Sequence, residues 1–367
     1  MQPIPPIIVI VPRLIPAIDG VGDYGLNIAK QLRQDFGWMT SFVIGDPNWS
    51  GEAFVEGFAV HQVAECSSTA LLKLLTNEQH STSTVLLHYV GYGYAKRGCP
   101  VWLIEGLERW RKATNSRHLV TMFHEMYAFG SIWTSQFWTS PLQRNLAARL
   151  VRLSDHCLTN NQIYAEIINK LGQGKHSTIP TLPVFSNIGE PEHLTSLLER
   201  PRRLVVLGSC GPRSRVYQNS RLALQRTCLE LEIEEILDIG SALDFKIEPI
   251  NDIPIVCLGI KSAPDISSLL SNSVAGFLNY PTGFLTKSGI FAAYCAHRLL
   301  PICTWYQGQD VDSLQAGKHY WLGNKYQHRM NLSAGQVVAD NAYAWYQKHQ
   351  LSVQAHTFVT YLNLSST

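Results

Sequence analysis

No two cysteines in this 367-residue chain stand at the C-x-x-C spacing. The eight cysteines, at positions 66, 99, 157, 210, 228, 257, 295 and 303, are dispersed among apolar neighbours. That pattern excludes a zinc signature and a small disulfide scaffold, and it fits reduced core residues of a cytosolic protein. An excess of one charge is also missing. Thirty lysines and arginines oppose 28 acids, a net charge of +2, so no basic field points to nucleic acid. Long apolar runs are absent too. Ile7 to Val11 is bracketed by prolines and is too short for a membrane span or a signal-peptide core. There is no internal repeat beyond a two-fold α/β likeness, and no low-complexity tract.

What the chain does have is 46% hydrophobic residues arranged as alternating strand and helix patterns. Ile7 to Val11, Ser41 to Ile44, Thr84 to Tyr89, His118 to Phe123 and His156 to Thr159 read as strands. Gly22 to Phe36, Thr69 to Asn77, Val101 to Lys112, Leu142 to Leu153 and Gln162 to Leu171 read as helices. Such alternation implies a parallel sheet covered on both faces. From Lys175 to Pro201 four prolines break the rhythm, and this segment reads as an interdomain connection. A second series follows. Strands are expected at Leu204 to Leu207, Ile236 to Ile239, Ile255 to Leu258 and Val274 to Leu278. Helices are expected at Ser220 to Leu231 and from Ser288, with GSCGPRSR as a loop and a mostly helical C-terminal region.

The densest chemistry lies in YPTGFLTKSGIFAAYCAHRLLPICT, Tyr280 to Thr304. An apolar strand ends in a Pro/Gly loop, and Lys287-Ser288-Gly289 opens a helix. A helix N-terminus carries unsatisfied N–H groups and about half a positive charge, so it attracts phosphate. Lys287 adds a full cation, and Ser288 adds a hydroxyl donor or an N-cap. A capped helix beside a solvated lysine has the same pattern.

Gly20-Val21-Gly22-Asp23-Tyr24-Gly25 matches G-x-G-x-x-G, and Asp46 stands about where a ribose-binding acid would be expected. A dinucleotide site is therefore a rival reading. The spacing argues against it, because Pro12 to Asp19 separate the strand from the glycines, whereas a dinucleotide turn follows its strand directly.

Several of these pieces resemble a known family in their order and spacing. They are the early D-G-V-G-D-Y loop, His124 ending LVTMFHE, DHCLTNNQIYAEII, VVLGSCGPRSR and the late KSG helix. Together they resemble GT-B glycosyltransferases of the family 4 type, in particular members of exopolysaccharide biosynthesis. The resemblance implies an α/β fold of two Rossmann-like domains facing a cleft. Residues 1–184 would form the acceptor-side domain and 185–344 the nucleotide-sugar domain, with a C-terminal helix in 345–367 returning to the first. It implies metal-independent transfer of a hexose from a UDP-sugar, with UDP-glucose the first expectation, to a saccharide or lipid-linked saccharide. No cofactor and no nucleic acid would be involved. Localisation would be cytoplasmic, with peripheral contact at the inner membrane face left open.

The resemblance also implies site residues. His124, Arg215 and Lys287 would be catalytic. Gly22, Asp23, Ser209, Arg213, Arg215, Ile260, Tyr280, Thr286, Lys287, Ser288 and Gly289 would hold the sugar nucleotide. Arginine suits a diphosphate by its permanent charge and forked donors, and either Arg213 or Arg215 could serve. A neutral His124 at a strand's carboxyl end could position a sugar hydroxyl or share its proton. His88 ends its strand in the same way, and Tyr89, Tyr92 and Tyr94 after it could stack on a sugar. The chain departs from the family where many members carry two glutamates eight positions apart. Thr286 and Tyr294 fall there, leaving hydroxyls in place of carboxylates. This keeps a non-catalytic sugar-nucleotide-binding protein among the alternatives, beside an NAD-dependent oxidoreductase. Asp310-Val311-Asp312 spells D-x-D but is expected at the surface. The aromatic span Tyr127 to Trp138 reads as a buried cluster, an acceptor wall or a lipid contact.

Overall fold

The computed structural model describes residues 7–76, 84–113, 117–127, 135–308, 311–324 and 329–363. The chain divides into two compact units, Met1–Pro183 with Leu351–Thr367, and Val184–Gln350.

The first unit runs β1 (Ile7–Val11), α1 (Gly20–Phe36), β2 (Thr40–Ile44), β3 (Phe54–Val55), β4 (Phe58–Gln62) and α2 (Ser68–Thr76). It continues with β5 (Thr84–Tyr89), α3 (Gly91–Tyr94), α4 (Val101–Lys112), β6 (His118–Phe123), α5 (Ser135–Leu153), β7 (His156–Thr159) and α6 (Gln162–Gly172). Among the described residues the strands form one sheet in the order β3-β4-β2-β1-β5-β6-β7, parallel except for the β3–β4 pair. β1 and β5 are buried along their whole length, as strands covered on both faces must be. Asn161 starts α6 by accepting the Tyr164 N–H at 2.8 Å.

The second unit runs β8 (Arg203–Leu207), α7 (Cys210–Asn219), α8 (Arg221–Glu230), β9 (Glu235–Ile239), β10 (Ile255–Gly259) and α9 (Ala263–Ser271). Then come β11 (Ala275–Pro281), α10 (Gly289–Ala296), β12 (Leu300–Trp305), β13 (Trp321–Leu322) and α11 (Leu332–Gln347). Its sheet is wholly parallel, in the order β10-β9-β8-β11-β12-β13. The core packs Leu204, Val206, Phe277 and Ile302 of the sheet against Val216 and Tyr217 of α7, Leu224 of α8 and Val338 of α11. α12 (Leu351–Leu362) belongs to the first unit, whereas α11 stays with the second.

Two expectations change. Only Gly208 and Ser209 remain loop in GSCGPRSR, because α7 begins at Cys210 with Ser209 as its cap residue. The short antiparallel β3–β4 pair was not anticipated. Its turn is Glu56-Gly57, both with positive φ, at 51° and 78°.

Candidate functional site

The strand order of the second sheet locates its crevice. From β8 the chain moves to β9 and β10 on one side, and then β11, β12 and β13 build on the other. The connections after β8 and β11 therefore diverge, leaving a hollow at the carboxyl ends of those strands, where open parallel sheets bind ligands. A cavity of 200 Å³ lies there. Leu207 closes it from β8, Pro212 and Val216 from α7, Asn279 and Tyr280 from β11, and Lys287, Ser288 and Gly289 from the start of α10. Ser288 Oγ accepts the Phe291 N–H at 3.2 Å, so Ser288 is the N-cap. The two N–H groups before Phe291 have no acceptor within the helix. The Lys287 ammonium lies 5.8 Å from the centroid of the Phe284 ring. Lys287, Ser288, Gly289 and Tyr280 are thus brought together.

Arg213 is not part of that set. Its side chain and that of Asp238 are each 2% exposed, and they form a bidentate ion pair with Nε–Oδ2 at 3.0 Å. Nη1 donates to Ser241 O at 2.6 Å, and Tyr217 Oη donates to the same carboxylate at 2.8 Å. The expected phosphate role of Arg213 gives way to an interior one. Arg213 and Arg215 part because both lie on α7 and not in a loop, and residues two apart on a helix point to different faces. Nearby, Gly240 lies at φ 152°, and a Cβ there would stand 2.1 Å from Gly208 O.

Arg215 lines a separate and larger cavity of 580 Å³, which meets the first only at Asn279. Ser209 is exposed and makes no side-chain cap bond. Ile260 is 70% exposed just beyond the edge strand β10 and lines neither cavity. Thr286 is buried, with its hydroxyl donating to Asp312 Oδ2 at 3.0 Å. Tyr294 is fully buried, and its hydroxyl donates to Val205 O at 3.2 Å. Burial also pushes its pKa up. The hydroxyls expected to replace the two glutamates are therefore engaged inside the unit. Asp312, expected at the surface, is half-buried beside Thr286, while Asp310 lies outside the described residues. Among the described residues no acid lines either cavity.

The glycine-rich helix start of the first unit is built differently. Asp19 caps α1, its Oδ1 accepting the N–H groups of Val21 and Gly22 at 3.0 Å each. Arg13 bridges Asp19 and Asp46, at 3.3 Å to each. A pyrophosphate at these glycines would meet a carboxylate already on the amides, which removes the physical basis of the dinucleotide reading. Gly22 is needed because a Cβ would stand 1.8 Å from Arg13 O. Asp23 is half-buried, and burial together with Asp19 raises its carboxyl to about 6.

His124 and His88 form a pair. His88 Nδ1 and His124 Nε2 are 3.0 Å apart, both residues are buried, and the Tyr24 ring meets both edge-on. Burial pushes His88 down to about 3, so it is neutral at ordinary pH. Its Nε2 has no hydrogen-bond partner among the described residues. The tautomer that leaves a bare lone pair there, not an orphaned N–H, has His88 Nδ1–H donating to His124 Nε2. A neutral His124 then carries its proton on Nδ1. Sequence reading noted His88 but not this pairing; the signal was two histidines each at the end of an apolar strand. Tyr89 and Tyr94 are buried beneath this region and Tyr92 is exposed. Of the Tyr127 to Trp138 span, the side chains from 128 on lie outside the described residues.

Among the described residues no group of three His, Cys, Asp or Glu could hold a metal ion, and no helix is long and apolar enough to cross a membrane. No family model matches the chain, and no curated protein matches it in sequence. Solved structures do match in fold. A lipopolysaccharide outer core galactosyltransferase, WaaB, is similar over 97% of this chain and 98% of its own, at TM-score 0.59 and 12% identity. The fold is GT-B. The pneumococcal O-GlcNAc transferase GtfA, solved with UDP and GlcNAc, matches over 97% and 95% at TM-score 0.53 and 9% identity. An S. aureus MnaA–UDP structure matches over 95% and 91% at TM-score 0.50 and 12% identity. Both units of this GT-B chain therefore have counterparts in single proteins of similar length.

Proposed function

We propose that the chain is a glycosyltransferase that takes its sugar from a UDP-sugar and passes it to a saccharide acceptor. The observation that carries this reading is the cavity at the β8–β11 crevice, with Lys287 and the start of α10 in its wall, on a GT-B fold. Lys287 and the first amides of α10 hold the diphosphate and stabilise charge developing on it as leaving group. These fixed positive groups supply what a metal would otherwise supply, so donor binding is proposed to be metal-independent. Gly289 lets the helix start approach the phosphates, and Tyr280 stands beside them. In the first unit His124 is proposed to hold an acceptor hydroxyl oxygen through its Nδ1–H, with Asp23 as a nearby carboxylate. UDP-glucose is the first donor to test, and polysaccharide precursors, free or lipid-linked, are the first acceptors.

A second reading has its own observation. Thr286 and Tyr294 are both engaged in the interior, and among the described residues no acid lines the cavity. A protein that binds a sugar nucleotide without turning it over fits those facts. The test is a thermal melt with UDP plus chelator against NAD plus chelator, followed by a donor-hydrolysis assay. Ligands of the native state raise its melting temperature. Stabilisation by UDP with hydrolysis supports the enzyme, and stabilisation without turnover on any sugar nucleotide supports the binding protein. Stabilisation by NAD alone overturns both.

A further inference from the structure

The larger cavity of the second unit has the chemistry of a sugar site, and of the residues lining the β8–β11 cavity only Asn279 also lines it. Asn279, Ser220 and Thr304 are buried polar residues in its wall, and Asn324 is an exposed one. Asn279 Nδ2 donates to Ser220 Oγ at 2.7 Å, and Ser220 Oγ lies 2.8 Å from Thr304 Oγ1. Asn324 Nδ2 donates to Thr304 O at 2.8 Å. Each carboxamide thus directs one N–H inward, which fixes its plane and leaves Oδ1 as an acceptor. At the rim Trp305 ends β12 with 44% of its surface exposed, an apolar ring face beside polar groups.

The charge of the cavity is one-sided. Among the described residues Arg215, Arg221 and Arg226 line it, and no acid does. Arg226 is paired with Glu230 at 2.8 Å, and Arg221 donates to the carbonyls of Glu248 and Pro249. Arg215 differs, because it forms no ion pair with a described residue and its Nε is buried without a hydrogen-bond partner among them. A half-buried guanidinium with no acid beside it favours an anion, and its forked donors suit carboxylate or phosphate. The volume of 580 Å³ is that of an ordinary small-molecule site.

We propose that this cavity binds a pyranose bearing an anionic group, a uronate or a sugar phosphate. Arg215 takes the anion, Trp305 covers the apolar face of the ring, and Asn279 and Asn324 take ring hydroxyls. This inference goes beyond the donor site at Lys287 and does not require that site to be correct.

The full chain labelled with 5-fluorotryptophan tests it by ¹⁹F NMR, with Trp305 assigned from Trp305→Phe. The probes are glucose 6-phosphate, glucuronate, methyl glucoside, inorganic phosphate and UDP. Glucose 6-phosphate or glucuronate should shift the Trp305 resonance saturably, and methyl glucoside should do so at least ten-fold more weakly. Arg215→Met should weaken the anionic sugars by at least ten-fold, and Arg215→Lys should fall between, with a thermal melt showing that both variants fold. A Trp305 signal unmoved by either anionic sugar overturns the proposal. So does inorganic phosphate binding as tightly as the sugar phosphate, which would mean a bare anion site. Competitive displacement by UDP overturns it as well, by giving the cavity to the nucleotide. UDP affinity in Lys287→Ala, read separately, reports on the donor site whichever way this falls.

Discussion

Two helix starts, one in each unit, are built with opposite electrostatics. In the first, the helix after the central strand begins on a carboxylate: Asp19 occupies the amides of α1, Asp46 shares Arg13 with it, and Asp23 lies within the first turn. In the second, α10 begins on the neutral cap Ser288 beside Lys287, with no acid among the described residues of the wall. The start of α1 thus disfavours an anion, whereas the start of α10 is the one proposed to receive it. A glycine motif read without its cap residue would have placed phosphates on amides that Asp19 already occupies.

The largest expected effect concerns the arginine that looks like part of the anion site but is not. Arg213→Ala leaves Asp238 buried without its partner, which should cost about 3–5 kcal/mol of stability. Urea unfolding measures this, and UDP affinity of the folded fraction should stay near wild type. A stable variant with weakened UDP binding would return Arg213 to the ligand set and blur the contrast.

Lys287→Ala comes next. UDP should lose a charge-assisted contact of roughly 1.5–3 kcal/mol, about ten-fold to a hundred-fold in affinity, while uridine should be almost unaffected. Calorimetry with both ligands decides it. Equal small losses would make Lys287 a solvated surface lysine.

Much of this contrast was legible in the chain. The ranges of β1, β5, β6, β7 and α4 follow from apolar runs and flanking breakers alone, and the resemblance to GT-B enzymes pointed to the observed fold. Ser288 as cap and Lys287 beside it follow from the K-S-G spelling. The rest depended on partners far apart in sequence. Arg213 and Arg215 are two residues apart, and only Asp238, reached through a strand pairing, separates their fates. Tyr294 sits where a ligand group was expected, but its ring fills the space over Gly276, so it joins the core. The β3–β4 pair was missed because two positive-φ residues can be supplied by Glu-Gly as well as by the commoner Asn-Gly.

The histidine pair offers a test within the first unit. His88 is held neutral by burial, with a folded pKa of about 3 against an ordinary 6.5. Its contribution to stability is therefore full above pH 6.5 and is lost as pH falls toward 3. Between pH 8 and pH 5 that loss is about 2 kcal/mol. His88→Gln should flatten this acid limb. His124→Ala should lower turnover more than it weakens UDP binding. An unchanged pH slope in His88→Gln would mean that the imidazole is not kept neutral by the fold.

The smallest expected effect has the opposite sign of pH dependence. Asp23 has its carboxyl raised to about 6 by burial and by Asp19, against an ordinary 3.8. The unfolded chain ionises first as pH rises, so the favourable contribution of the neutral acid is full below about 4 and is lost by about 6. A shift of this size on a fully buried group would be worth about 3 kcal/mol, but Asp23 is partly solvated, and screening reduces that to about 1 kcal/mol. Asp23→Asn removes the titration while keeping the shape. The variant should match wild type at pH 4 and exceed it at pH 7.5, read as the difference in urea midpoints at the two pH values. Ligand binding makes the same residue informative about function. If the carboxylate serves an acceptor, Asp23→Asn should lower the acceptor kcat/KM and leave UDP affinity alone. Loss of UDP affinity in this variant would mean that the first unit takes part in holding the anion, and the contrast between the two helix starts would fail.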